Sequence, residues 1–116
     1  MKTYCFDIDG VICKTTKSRY KFSKPNKKMI NLINNLYKKN IIYIFTARYM
    51  GRTNNNKVLA KKLAKKLTIS QLKKWGVNYH KIFFSKPSYD YIIDDKSIYA
   101  KKILKKGIQN KLKKYI

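Results

Sequence analysis

Apolar positions along this chain recur at two periods, and their order predicts an architecture. Residues 2–8 alternate and are rich in aromatic and β-branched types, which predicts a strand. Residues 41–45 (IIYIF) are a continuous apolar run, suited to a strand covered on both faces. Further strands are expected at 81–84 (KIFF) and 91–93 (YII). Met29, Ile30, Ile33, Leu36 and Tyr37 form a stripe at helical spacing, with Pro25 in the first turn and Asn40 at the end. A second helical region runs from Asn54 to Trp75 and closes at Gly76. Within it Thr68, Ser70 and Gln71 predict a fresh cap, and so two helices. From Ser97 a basic amphipathic helix is expected, with Ile98, Ile103 and Leu104 apolar and a break at Gly107. A last short helix would carry Leu112 and Ile116. Residues 11–24 lack helical periodicity and read as a loop or short hairpin.

Strands alternating with helices in this order predict an α/β fold: an open parallel sheet with helices on both faces, three-layer and Rossmann-like, in one domain over residues 1–116. Ligands of such sheets bind beyond the carboxyl ends of the strands. The polar motifs lie there: Asp7 and Asp9 after the first strand, Thr46 to Arg48 after the second, Ser85 and Lys86 after the third, Asp94 and Asp95 after the fourth.

Composition sharpens this picture. Asp7, Asp9, Asp90, Asp94 and Asp95 are the only acids, against 29 Lys and Arg, for a formal net charge of +24. Acids kept for solubility would be scattered; these fall in two tight groups at the ends of apolar runs. At 44% hydrophobic the chain can bury a core, so its charge does not imply disorder. Of the basic residues only Arg19, Arg48 and Arg52 are arginines, so the charge reads as a lysine bias as much as a nucleic-acid footprint. No run reaches a membrane span, and the acid-bearing N-terminus does not read as a secretory signal, so the expected compartment is the cytoplasm. Cys5 and Cys13 have neither disulfide-framework nor zinc spacing. His80 reads as a solvated loop residue, Asp90 equally as a turn cap, and the lysine-rich helices as solvated faces.

Converging carboxylates repel unless a cation lies between them, and oxygen donors without His or Cys favour Mg²⁺. Mg²⁺ commonly bridges to phosphate, so a phosphoryl substrate follows, with Lys86 and the Thr46 hydroxyl to neutralise and orient it. One Asp would attack phosphorus while a second protonates the leaving oxygen and then activates water.

At this point FDIDGVI, FTAR, the KP of SKPSYD and IIDD resemble, in order, the four motifs of the haloacid dehalogenase-like (HAD) phosphohydrolases, over residues 4 to 96. The resemblance implies Asp7 as nucleophile, Asp9 as general acid/base, Thr46 as phosphate-binding hydroxyl and Lys86 as charge-stabilising lysine. It implies Mg²⁺ held through Asp7, Asp9 (by its backbone), Asp94 and Asp95, with Asp95 favoured over Asp94 as the direct ligand and Asp94 holding Lys86. Gly10, Ala47, Arg48 and Arg19 are the candidate substrate-binding residues, with loop 14–24 and Arg52 beside them. The gaps between motifs leave no room for a cap domain. The segment KPSYDYIIDDK is further similar to small stand-alone members associated with capsule or polysaccharide biosynthesis. The expected function is Mg²⁺-dependent hydrolysis of a small phosphorylated metabolite, such as a sugar phosphate. The alternatives are a polynucleotide 3′-end phosphatase and, in another class, a non-catalytic basic nucleic-acid-binding module. The sequence leaves the oligomeric state open.

Overall fold

Three parallel strands form the central sheet: β1 (Thr3–Phe6), β4 (Ile41–Phe45) and β5 (Lys81–Phe83), in the order β1-β4-β5. The structure is a computed structural model describing residues 1–105 and 108. Between β1 and β4 the chain forms a two-stranded hairpin, β2 (Cys13–Lys14) with β3 (Lys24–Pro25), and then helix α1 (Lys27–Tyr37). Helix α2 (Lys57–Lys74) connects β4 to β5, and a short α3 (Ala100–Ile103) follows. The chain is therefore α/β with a parallel sheet. The expected final helix lies outside the described residues.

β1 and β4 pair in register from Thr3↔Ile41 to Phe6↔Ile44, and β4 and β5 from Tyr43↔Lys81 to Phe45↔Phe83. Side chains of a strand alternate between faces, so Phe6, Ile42 and Ile44 share one face and are buried. Met29, Ile33 and Leu36 of α1 and Leu72 of α2 join them in one apolar cluster. α1 begins at Asn26, whose side chain accepts the Met29 N–H and satisfies one open helix-end donor. Asn40 ties the far end, donating to the Leu36 carbonyl at 3.0 Å and accepting the Lys2 N–H at 2.9 Å.

Four expectations change. Burial along β4 alternates, with Ile41, Tyr43 and Phe45 only half-buried, so this strand is not covered equally on both faces. Pro25 is not in the first turn of α1; it pairs with Cys13 in the hairpin, one residue before the cap. Residues 57–74 form one helix rather than two, because Thr68 and Gln71 turn inward to an arginine instead of capping a new start. Residues 91–93 form no strand: Tyr91 and Ile93 are 89% and 98% exposed. Their β propensity is real, but a strand exists only where a neighbour completes its ladder. Among the described residues no helix is long and apolar enough to cross a membrane.

Candidate active site

The carboxyl end of β1 delivers Asp7 and Asp9 into a cleft of about 370 Å³ lined by Asp7, Asp9, Thr15, Arg48, Arg52 and Ser88, among others. Gly10, at φ +86°, turns the chain immediately behind them, and its N–H donates to the Cys13 carbonyl at 2.8 Å. That turn feeds the β2–β3 hairpin, which brings Thr15 back to Asp9 and Ser23 to Thr15.

Each acid has its own cation. The Lys86 ammonium donates to Asp7 Oδ2 at 2.9 Å, and the other Asp7 oxygen accepts the Ile8 N–H at 2.7 Å. Burial works against the charged Lys86, but its hydrogen bonds to Asp7 and Tyr89 outweigh that and hold its pKa above the ordinary value. Arg48 grips Asp9 with Nε on Oδ2 and Nη2 on Oδ1, both at 3.0 Å. Thr15 also donates to Asp9 Oδ1. Burial, as the largest influence, raises the pKa of the neighbouring Cys13 thiol.

Arg48 was expected to bind an anionic group of the substrate; it borders the cleft, but its donors are spent inside the protein. Its side chain has no exposed surface, and its remaining donors go to Thr68 and Gln71 of α2. A guanidinium buried this deeply must have its fixed fork of donors satisfied, and Asp9 with α2 does so. The exposed cation bordering the cleft is Arg52. Its guanidinium carbon lies 5.1 and 4.8 Å from the ring centroids of Tyr20 and Tyr49, which pack on each other at 5.0 Å, and it donates to the Ser18 carbonyl. It pairs with no carboxylate among the described residues. Two acids against Arg48, Lys86 and Arg52 leave one positive charge in excess, which suits an anionic ligand.

The other expected residues are divided. Ala47 lines the cleft; Gly10, Arg19, Thr46 and Lys86 do not. Thr46 is fully buried, and its hydroxyl accepts the Arg48 N–H at 3.1 Å. Arg19 is exposed on the loop after the hairpin's first strand. Asp94 and Asp95 lie in an exposed segment outside the cleft lining, and the Lys96 N–H, donated to Asp94 at 3.0 Å, holds that carboxyl below its usual range. No group of three or more His, Cys, Asp or Glu comes together among the described residues. A single chain therefore does not assemble the acid set expected around a divalent ion. Sequence reasoning missed Thr68, Gln71, Tyr20 and Ser88; only the inward helix face could have signalled the first two. His80 is an exposed loop residue as expected, and its Nδ1 also accepts the Ile42 N–H at 3.0 Å while its ring stacks on Tyr37.

No family model matches the chain, and no curated protein matches it. Among solved structures it is similar to the crystal structure of an MCSG target from Vibrio cholerae, with a TM-score of 0.86 and 22% sequence identity over 99% of this chain and 97% of that one. At that identity the likeness establishes a shared α/β fold.

Proposed function

We propose that this chain is a phosphomonoester hydrolase working through an aspartyl-phosphate on Asp7, with the three-layer, capless HAD-like arrangement that the motifs resemble. The observation that carries the reading is the Asp7 carboxylate. It lines the cleft beside Asp9, oriented by Lys86 at 2.9 Å and by the Ile8 N–H at 2.7 Å. An Asp7 oxygen attacks phosphorus, the bond to the ester oxygen breaks, and Asp9 gives that oxygen its proton. Asp9 then takes a proton from water, whose oxygen attacks the same phosphorus; the aspartyl–phosphorus bond breaks and inorganic phosphate leaves. Asp9 Oδ2 accepts only from Arg48 Nε among the described residues, which keeps a lone pair for this proton. Lys86 and Arg52 offset the charge of the phosphoryl group.

Magnesium dependence belongs to the same reading, but the acids do not fit the ion as they stand: Asp94 and Asp95 lie exposed, outside the cleft that Asp7 and Asp9 line. No step above is routed through it. The substrate proposed is a small phosphorylated metabolite, with sugar phosphates of polysaccharide synthesis as first candidates. A panel of sugar phosphates, nucleotides, aryl phosphate and end-phosphorylated DNA, with and without Mg²⁺, tests the reading. Turnover of at least one small substrate is expected, falling at least about a thousandfold in Asp7→Asn. Failure of the wild-type chain on the whole panel, or unchanged turnover in Asp7→Asn, overturns it.

A second reading, a polynucleotide 3′-end phosphatase, is favoured by α2. Lys57, Lys61, Lys62, Lys65 and Lys66 are exposed on a helix that carries no acid. Preference for the DNA substrate, with a rate falling steeply as salt rises, would select it.

A further inference from the structure

The cleft is larger than a phosphoryl group needs. At about 370 Å³ it falls among clefts that take whole small molecules, roughly 300–1,000 Å³. Asp7 marks its reacting end, where the carboxylate accepts from Lys86 and from the Ile8 N–H. Arg52 borders the same cleft on different partners. Its guanidinium lies against Tyr20 and Tyr49 and donates to the Ser18 carbonyl. Among the described residues neither Arg52 nor these three partners hydrogen-bonds to Asp7 or Asp9.

The position of Arg52 is set by the network that holds Asp9. The Tyr20 ring lies 4.9 Å from the buried Arg48 guanidinium and 5.1 Å from that of Arg52, and the Tyr20 carbonyl accepts from Gln71 of α2. The two loops that meet here hold backbone that residues other than glycine rarely adopt: φ is +51° at Lys17, +54° at Ser18 and +64° at Tyr49. Such backbone persists where its surroundings fix it, and it clusters at ligand clamps. A guanidinium carries five N–H donors in a planar fork. Arg48 spends its fork on Asp9, Thr68 and Gln71. Arg52 is exposed and gives a donor to Ser18, which leaves the rest of its fork for a ligand in the cleft. The Ser88 hydroxyl packs against Gly51, next to Arg52 in the chain, and lines the same cleft.

We propose that Arg52 receives a second anionic group of the substrate, a carboxylate or a second phosphate, while Asp7 takes the phosphoryl group. This narrows the substrate class to small phosphate esters that also carry an acid. The forked guanidinium suits two-point binding of either anion. A flat base is the poorer occupant, because Tyr20 and Tyr49 are already packed on each other at 5.0 Å and against Arg52. The anion subsite stands on this geometry; that its ligand is a substrate rests on the phosphatase reading.

Three esters on one carbon chain separate these claims: glucitol 6-phosphate, 6-phosphogluconate, which adds a carboxylate, and glucitol 1,6-bisphosphate, which adds a phosphate. Their binding to an Asp7→Asn chain is measured by calorimetry, so that no turnover is needed. At least one of the two acid-bearing esters is expected to bind about tenfold or more tighter than glucitol 6-phosphate, and which one identifies the anion. Adding Arg52→Met should bring that ratio within about threefold. Adding Lys28→Met instead, which removes the same charge from an exposed position of α1 outside the cleft lining, should leave it unchanged and so accounts for the attraction of a +24 chain for any anion. Arg52→Gln, which keeps a donor for Ser18, replaces the methionine variant if that chain does not fold, and the same ratios decide. Equal ratios in the Arg52 and Lys28 variants, no preference for either acid, or no binding of any of the three overturns the subsite. Turnover of the three esters by the wild type is read separately and should follow the same order in kcat/KM. If the wild type turns over nothing, the phosphatase reading fails while the binding ratios still decide the subsite.

Discussion

Arg48 is the side chain on which the geometry of the cleft turns. It binds Asp9 from the hairpin side and Thr68 and Gln71 from α2, so one guanidinium fixes the acid and docks a helix. Arg48→Ala leaves Asp9, itself mostly buried, without its partner, and is expected to destabilise the fold by about 2–4 kcal/mol. Arg48→Lys should recover little, since an ammonium cannot reproduce the fork. Chemical denaturation of the three chains checks this; a loss below about 0.5 kcal/mol would mean that the network is not structural. Lys86 gives a prediction in pH. Its folded pKa is raised, so its pairing with Asp7 stabilises fully below the ordinary value of 10.5 and is lost as pH rises through the folded value. The stability gap between wild type and Lys86→Met should be constant near neutrality and shrink at strongly alkaline pH. A gap that widens there would have the wrong sign.

At the scale of elements, the legible parts were those where one face alone decides. The α1 stripe at residues 29, 30, 33 and 36 is buried, and β1, β4 and β5 fall within two residues of their expected bounds. Helix α2 was not legible in the same way. Its inward face is Ala60, Ala64, Thr68, Gln71 and Leu72, so the polar residues that looked like a cap are the ones that bind Arg48. Its true start is Asn56, whose side chain accepts the Leu59 N–H at 3.1 Å. Asn56→Ala should cost about 1 kcal/mol and Asn56→Asp very little, read as a shift in the unfolding midpoint. An unchanged midpoint in the alanine variant would move the helix start elsewhere. Residues 91–93 show the limit of local reading: propensity names a segment able to pair, and only topology supplies the neighbour.

For the whole molecule, the acid positions were the strongest signal, because five acids among 29 cations cannot be distributed by chance needs of the surface. Asp7 and Asp9 meet in the cleft as expected, and the cations that hold them are Lys86 and Arg48. Arg48 and Arg52 were both expected to bind an anionic group, but only Arg52 is exposed, since sequence cannot say which of two nearby arginines turns inward. A charge of +24 also repels itself, so moderate salt should raise the thermal midpoint by screening. The central claim is that Asp7 carries the phosphoryl group. With Asp9→Asn, which removes the base for the second step, 4-nitrophenyl phosphate tests it directly, because that leaving group needs no proton. A burst of about one nitrophenolate per site, followed by near arrest, is expected, with the phosphoryl group found on Asp7 by mass spectrometry after acid quenching. Steady turnover by the wild type with no burst in the variant and no adduct on Asp7 would contradict it.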